Sequence, residues 1–219
     1  TPPGPYVAVR ASRDGTTLAV ASDDGSQRNV WIMPMRGSVS LRRLTFEGRN
    51  QFPVLSPDAM RVAYQSDREG AQAIFVRRAD GTGQIERLTK PAQGETHEPE
   101  SWSPDGRYLA YSAGKPGEFS LWILSIDDHK AVRLGDTQSR SPFGSSFSPD
   151  GHWIAYYVAS TTISSTGRPI ADVGQLSSDI GVFIQPFPPM GARYQVPKQQ
   201  IDFHPVWAPD GGSLIFTPS

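Results

Sequence analysis

The sequence has no cysteine, which excludes disulfides and thiolate-held metals but leaves the compartment open, because oxidising and reducing environments both host cysteine-free domains. It has no run of 18 apolar residues, the length a helix needs to cross a hydrocarbon core. It has no excess of either charge: 21 basic residues stand against 22 acidic ones, for a formal net charge of -1. A surface that holds a nucleic-acid backbone or an anionic membrane carries a basic excess, so nucleic acid and membrane insertion are set aside as partners. The opening "TPPGPYVAVR" lacks the basic and apolar regions of a signal peptide. The expectation is a cytosolic protein or a targeting segment outside this chain. Sustained apolar spacing at three and four residues is missing as well, so no long helix is expected.

What is present is punctuation. The chain has 21 glycines and 20 prolines among 219 residues, set singly between short apolar runs as in a protein of many short strands. One turn recurs: Ser12-Arg13-Asp14-Gly15, Ser56-Pro57-Asp58-Ala59, Ser103-Pro104-Asp105-Gly106, Ser148-Pro149-Asp150-Gly151 and Ala208-Pro209-Asp210-Gly211. Its aspartates lie 44, 47, 45 and 60 residues apart. A period in the forties with strand-rich content predicts a β-propeller of four-stranded antiparallel blades. The third unit shows the grammar: "ESW" enters the turn, "RYLAYSA" leaves it, "FSLWILSI" follows a Gly/Pro break, and "AVRLG" closes. Four complete blades are expected at about 6-48, 49-92, 93-137 and 138-199, with the first half of a fifth at 200-219, in one domain.

The turn has a physical rationale. Proline presets the backbone at the first turning position, Asp bonds nearby main chain, and Gly accepts the left-handed conformation of a hairpin loop with a bulge. Asp14, Asp58, Asp105, Asp150 and Asp210 are therefore structural, since a catalytic centre needs different residues meeting once. Ala59 in place of Gly costs about 1 kcal/mol if the left-handed geometry is kept. Together with Arg13 in place of proline, it predicts looser turns in the first two units.

The stretches "SDREGAQAIFVRRADGTGQIERLT" (66-89) and "SWSPDGRYLAYS" (101-112) resemble the TolB-like β-propeller repeat family, and the resemblance runs over nearly the whole chain. That repeat occurs in TolB, in the propellers of prolyl-oligopeptidase-like and tricorn-like peptidases, and after bacterial serine/threonine kinase domains. The phrase "GVFIQPFPPMGARYQV...HPVWAPDG" looks most like the last group. The resemblance implies a binding scaffold in an extracytoplasmic setting with a protein or peptide partner, and no cofactor is expected. Related propellers usually have six or more blades, so the resemblance also implies a part of a larger propeller or multidomain protein, the alternative being a five-bladed ring closed imperfectly. Its open blade faces would seek a partner chain, including a second copy that completes the ring. An insertion at 160-179, polar and Gly/Ser/Thr-rich, departs from the repeat and reads as a mobile surface loop, with a partner-contacting loop as the alternative.

Motifs for chemistry are missing. "FGSSFS" (143-148) is not a Gly-x-Ser-x-Gly elbow, there is no phosphate loop, and His97, His129, His152 and His204 are scattered singly. The Asp23-Asp24 and Asp127-Asp128 pairs do not continue into a calcium loop. The remaining candidates precede each turn on the first strand of a unit, which in the resembled family lines a central channel. They are Gln51, Phe52, His97, Glu98, Phe143, Phe203 and His204, a mixture of rings, imidazole and carboxylate suited to a ligand mouth. Phe52, Phe143 and Phe203 read equally well as packing residues, and Trp102, Phe147 and Trp207 read as core. Three functions stand: a non-enzymatic binding module, the gating propeller of a peptidase whose catalytic domain lies elsewhere, and a self-assembling structural fragment.

Overall fold

The computed structural model describes residues 5-36, 40-159, 180-197 and 202-218; the expected insertion loop at 160-179 lies outside them. Among the described residues every regular element is a strand. The first sheet is β1 (Tyr6–Ala11), β2 (Thr17–Asp23), β3 (Arg28–Pro34) and β4 (Arg42–Arg43), and the second is β5 (Asn50–Leu55), β6 (Arg61–Ser66), β7 (Ala73–Arg78) and β8 (Glu86–Arg87). The third is β9 (Thr96–Trp102), β10 (Tyr108–Lys115), β11 (Glu118–Ser125) and β12 (Ala131–Ser139). The fourth is β13 (Ser146–Phe147), β14 (Trp153–Val158), β15 (Gly181–Pro186) and β16 (Tyr194–Gln195), and β17 (Asp202–Trp207) with β18 (Leu214–Pro218) makes a two-stranded fifth. Strands follow one another in chain order within each sheet. This is the expected set of four full blades and half a fifth.

The repeated turn explains why each sheet starts alike. In the first four turns the serine hydroxyl donates to the aspartate Oδ1 at 2.5 to 2.6 Å and accepts the amide of the residue five positions on at 2.9 Å. The same Oδ1 accepts the amide two residues beyond the aspartate in all five turns, at 2.9 to 3.1 Å. Local bonds of this kind close the hairpin without help from the rest of the chain. Hydrogen bonding to serine hold the Asp14 and Asp150 carboxyls at a pKa of about 2. The residue after each aspartate is left-handed, including Ala59 at φ 56°. The looser turns expected at Arg13 and Ala59 are not visible as lost hydrogen bonds; the penalty at Ala59 is backbone strain carried in an intact turn.

A second local device closes the outer edge. β4 and β8 are two residues long, and each is followed by a Leu-Thr pair. Thr45 Oγ1 accepts the Val30 amide and Thr89 Oγ1 accepts the Ile74 amide, both at 2.9 Å. Leu44 and Leu88 turn inward, at 0% and 7% exposure. A side chain thus does the work of a third ladder bond and lets the edge strand stop early, which limits stray edge pairing.

The chain divides into two compact units, Thr1–Trp102 and Ser103–Ser219. In the first, Ala19, Val30, Ile32, Leu55, Val62, Tyr64 and Phe75 bury the facing sides of the first two sheets. Strand β6 is covered on both faces from Val62 to Ser66, and β5 contacts β1 on one side and β9 on the other. The first strands of successive sheets therefore adjoin, as stacked blades require. In the second unit Leu121, Ile123, Phe143, Phe147, Ile154, Tyr156 and Phe183 form the core. Aromatic pairs recur at one ladder position: Tyr64 with Phe75 at 6.4 Å, Tyr111 with Trp122 at 6.5 Å and Tyr156 with Phe183 at 6.0 Å. Each side chain buried here contributes about 1.5 to 3 kcal/mol. Apolar residues also stay exposed, Tyr6, Val7 and Val9 on β1 and Val206 and Ile215 on β17 and β18.

Candidate functional site

The site positions lie just ahead of the turns. Six residues before the turn aspartate the backbone is left-handed at Phe52 (φ 51°), Gly144 (φ 55°) and His204 (φ 54°). The ladder shifts register there in the second and fifth sheets. In β9 that place is held by Pro99, whose ring fixes φ near −65° and forbids the bulge. The carboxylates of β9, Glu98 and Glu100, are two residues apart and so share a face of the strand.

In the first unit the candidates separate into two kinds. Gln51 is part of a polar chain that crosses three sheets. Asp23 pairs with Arg28 at 2.7 Å, Arg28 Nη1 donates to Gln51 Oε1, and Gln51 Nε2 donates to Gln65 Oε1. Gln65 Nε2 then donates to the Thr96 hydroxyl at 2.7 Å and the His97 carbonyl at 3.0 Å. Phe52 is half-buried at the bulge. His97 is buried at 7% exposure, and its amide donates to the Gln72 carbonyl at 2.9 Å. These groups tie sheets together.

Glu98 is different. It is half-buried, and burial first, then the neighbouring Glu100 charge, push its carboxyl up to about 8, with Arg10 of β1 acting in the opposite direction. Burial of His97 pulls its imidazole down to about 4, and Arg87 adds to that while Glu95 opposes it. The two groups tilt stability in opposite directions. The His97 contribution is present above its ordinary 6.5 and is lost as pH falls through about 4. The Glu98 contribution is present below its ordinary 4.5 and is lost as pH rises through about 8. Glu98→Gln should therefore raise the melting temperature at about pH 9 and leave it nearly unchanged at about pH 4.5. Equal gains in thermal melts at both pH values would show that Glu98 is not the titrating group.

In the second unit Phe143 is fully buried and meets the Tyr156 ring edge-on at 5.9 Å, so its ring is not available to a ligand. His204 is exposed and its Nδ1 lies 3.2 Å from where a Cβ on Gly144 would stand. Phe203 belongs to β17 and pairs with Thr217; its side chain lies outside the described residues. The turn aspartates are occupied by their own hairpins, as above. Asp23 accepts the Gly25 amide at 2.9 Å, and Asp24 accepts the Ser26 and Gln27 amides at 2.9 and 2.7 Å. No group of three or more metal-ligating side chains occurs among the described residues.

Arg10 and Glu100 join the site without being marked by any motif in the sequence. The available signal was the spacing of Pro99, six residues before its turn aspartate where Pro53 and Pro205 stand five before theirs. The second unit also holds an open cavity of about 460 Å³, lined by Trp153, Tyr194, Trp207 and Asp150 among others, which no sequence pattern announces.

Comparison with known proteins agrees with this geometry. The model of the TolB beta propeller domain matches residues 2-165. The Tol-Pal system protein TolB of Anaeromyxobacter sp. (strain K) is 33% identical over 107 residues, 49% of this chain and 20% of that protein. Tricorn protease homolog 1 of Streptomyces coelicolor is 33% identical over 123 residues, 55% of this chain and 11% of that protein. The matches span about a third or less of the length of the curated relatives. Among solved structures, a putative TolB from Agrobacterium tumefaciens has a TM-score of 0.75 at 22% identity, covering 98% of this chain and 70% of that one. With the family model spanning most of its length, the chain belongs to the TolB beta propeller domain family.

Proposed function

We propose that the chain is a non-enzymatic recognition module that takes a protein or peptide partner on the inner strands of its first unit, with Glu98 and Arg10 as the polar contacts. One observation carries the reading. Glu98 is a half-buried carboxyl held far from its ordinary protonation equilibrium by burial and by Glu100, on a strand whose neighbours His97, Pro99 and Trp102 are sealed. An arrangement that costs stability and keeps partial access is a candidate recognition group. A basic group of a partner approaching Glu98 would favour the ionised carboxylate and replace the water it has lost. The family supports the same reading, since a relative bears the name of a Tol-Pal system protein.

The test is selection of displayed peptides on the immobilised chain, followed by affinity measurement on variants. Binders should lose about tenfold or more on Glu98→Gln. Selected peptides that bind the native chain and Glu98→Gln equally would refute the assignment of the contact. The tricorn relative supports a second reading, the propeller part of a peptidase. A hydrolase domain in the adjoining reading frame would favour it.

A further inference from the structure

The cavity in the second unit is best understood by comparing it with the equivalent place in the first. Trp102 and Trp207 each stand three residues before a turn aspartate. Trp102 Nε1 donates to the Val54 carbonyl at 3.2 Å and Trp207 Nε1 to the Ser146 carbonyl at 3.0 Å. Both acceptors stand four residues before the turn aspartate of the preceding sheet, so the two indoles are seated alike. In the first unit the space over the indole is filled. Arg61, three residues after Asp58, holds its guanidinium 5.0 Å from the Trp102 ring centre, and its charge acts on the Asp58 carboxylate.

In the second unit the residue three after Asp150 is Trp153. The indole and the carboxylate are kept and the guanidinium is gone. The Trp153 ring turns toward Tyr194, with ring centres 6.1 Å apart at 60°. What is left is the cavity of about 460 Å³, walled by three electron-rich rings with Asp150 and Ser148 at its rim. One oxygen of Asp150 is held by the Ser148 hydroxyl and the His152 amide at 2.5 and 3.0 Å; the other faces His152 Nδ1 at 3.3 Å, in a side chain 76% exposed. Ring faces beside a carboxylate attract a planar cation, and guanidinium stacks on indole while bonding to carboxylate.

We propose that this cavity binds an arginine side chain presented by a partner polypeptide, the guanidinium lying over Trp207 as Arg61 lies over Trp102. The site is separate from the inner-strand contact proposed above and stands or falls independently of it. Its chemistry also separates it from a stacking site for a sugar, which would use the same rings and need no positive charge.

The experiment follows the indole N–H resonances of Trp153 and Trp207 during titration with a short peptide containing one arginine, and with the same peptide containing neutral citrulline. The arginine peptide should shift both resonances, and the citrulline peptide should bind about tenfold more weakly or worse. Trp153→Arg should fill the cavity from within and abolish the response while keeping the fold. Should that variant fail to fold, Tyr194→Ala, at an exposed position of a two-residue edge strand, should weaken binding several-fold. Equal binding of the two peptides, a response to a disaccharide but not to arginine, or undiminished binding by a folded variant would each overturn the proposal.

Discussion

Phe143→Ala should lower the stability of the chain by about 3 to 5 kcal/mol, the range for emptying a well-packed aromatic site. The ring is fully buried, packs edge-on against Tyr156 at 5.9 Å, and sits among Phe119, Phe147, Ile154 and Phe183. Its backbone is tied at both ends: the Phe143 amide donates to the Ser112 hydroxyl at 2.9 Å, and its carbonyl accepts the Tyr157 amide at 2.8 Å. With the main chain held, the surroundings collapse little into the vacated volume, and the cost stays near the upper part of that range. Denaturant titration gives the measurement, with Phe143→Leu as the milder control. A loss below about 1 kcal/mol would mean that the ring packs loosely and would return Phe143 to the list of ligand contacts.

Trp102→Ala should have an effect of similar size, about 3 to 5 kcal/mol. The indole is 7% exposed, donates to the Val54 carbonyl at 3.2 Å and lies under the Arg61 guanidinium at 5.0 Å. Three losses combine: buried ring area, a hydrogen bond to a carbonyl, and a cation over a ring face. Trp102→Phe separates them, because it keeps a ring and removes the donor, and should cost about 1 to 3 kcal/mol. A cycle of Trp102→Phe with Arg61→Ala then isolates the cation–ring contact, expected at about 0.5 to 2 kcal/mol. A coupling of zero would also weaken the argument for a guanidinium at the equivalent cavity over Trp207.

The seven candidate residues had one description in sequence and have several in space. Phe143 and Glu98 both stand seven residues before a turn aspartate. One is sealed in the core and the other is half-open. The next position differs as well, Gly144 with a left-handed backbone against Pro99, which cannot adopt it. A repeat alignment that lines up aspartates registers neither difference. Gln51 looked like a free polar group at a mouth and proved to be a strut between Arg28 and Gln65, because both partners are distant in sequence.

Local chemistry was legible. The five turns share an aspartate that bonds the amide two residues on, with serine, proline and glycine beside it in most of them, so the sequence by itself determined the hairpins, the strand spacing, the four-stranded units and hence the blade architecture. The Leu-Thr closure was spelled out after β4 and β8, yet its purpose needed the third strand, fifteen residues earlier, to be placed beside it. The tertiary structure alone decided which inner-strand groups are sealed, that Arg10 lies within electrostatic reach of Glu98, and that the place of Arg61 over one tryptophan is open over another. The physical reason is range: turn geometry is settled by bonds between near neighbours, whereas burial, charge pairing and cavities depend on side chains that only packing between sheets brings together.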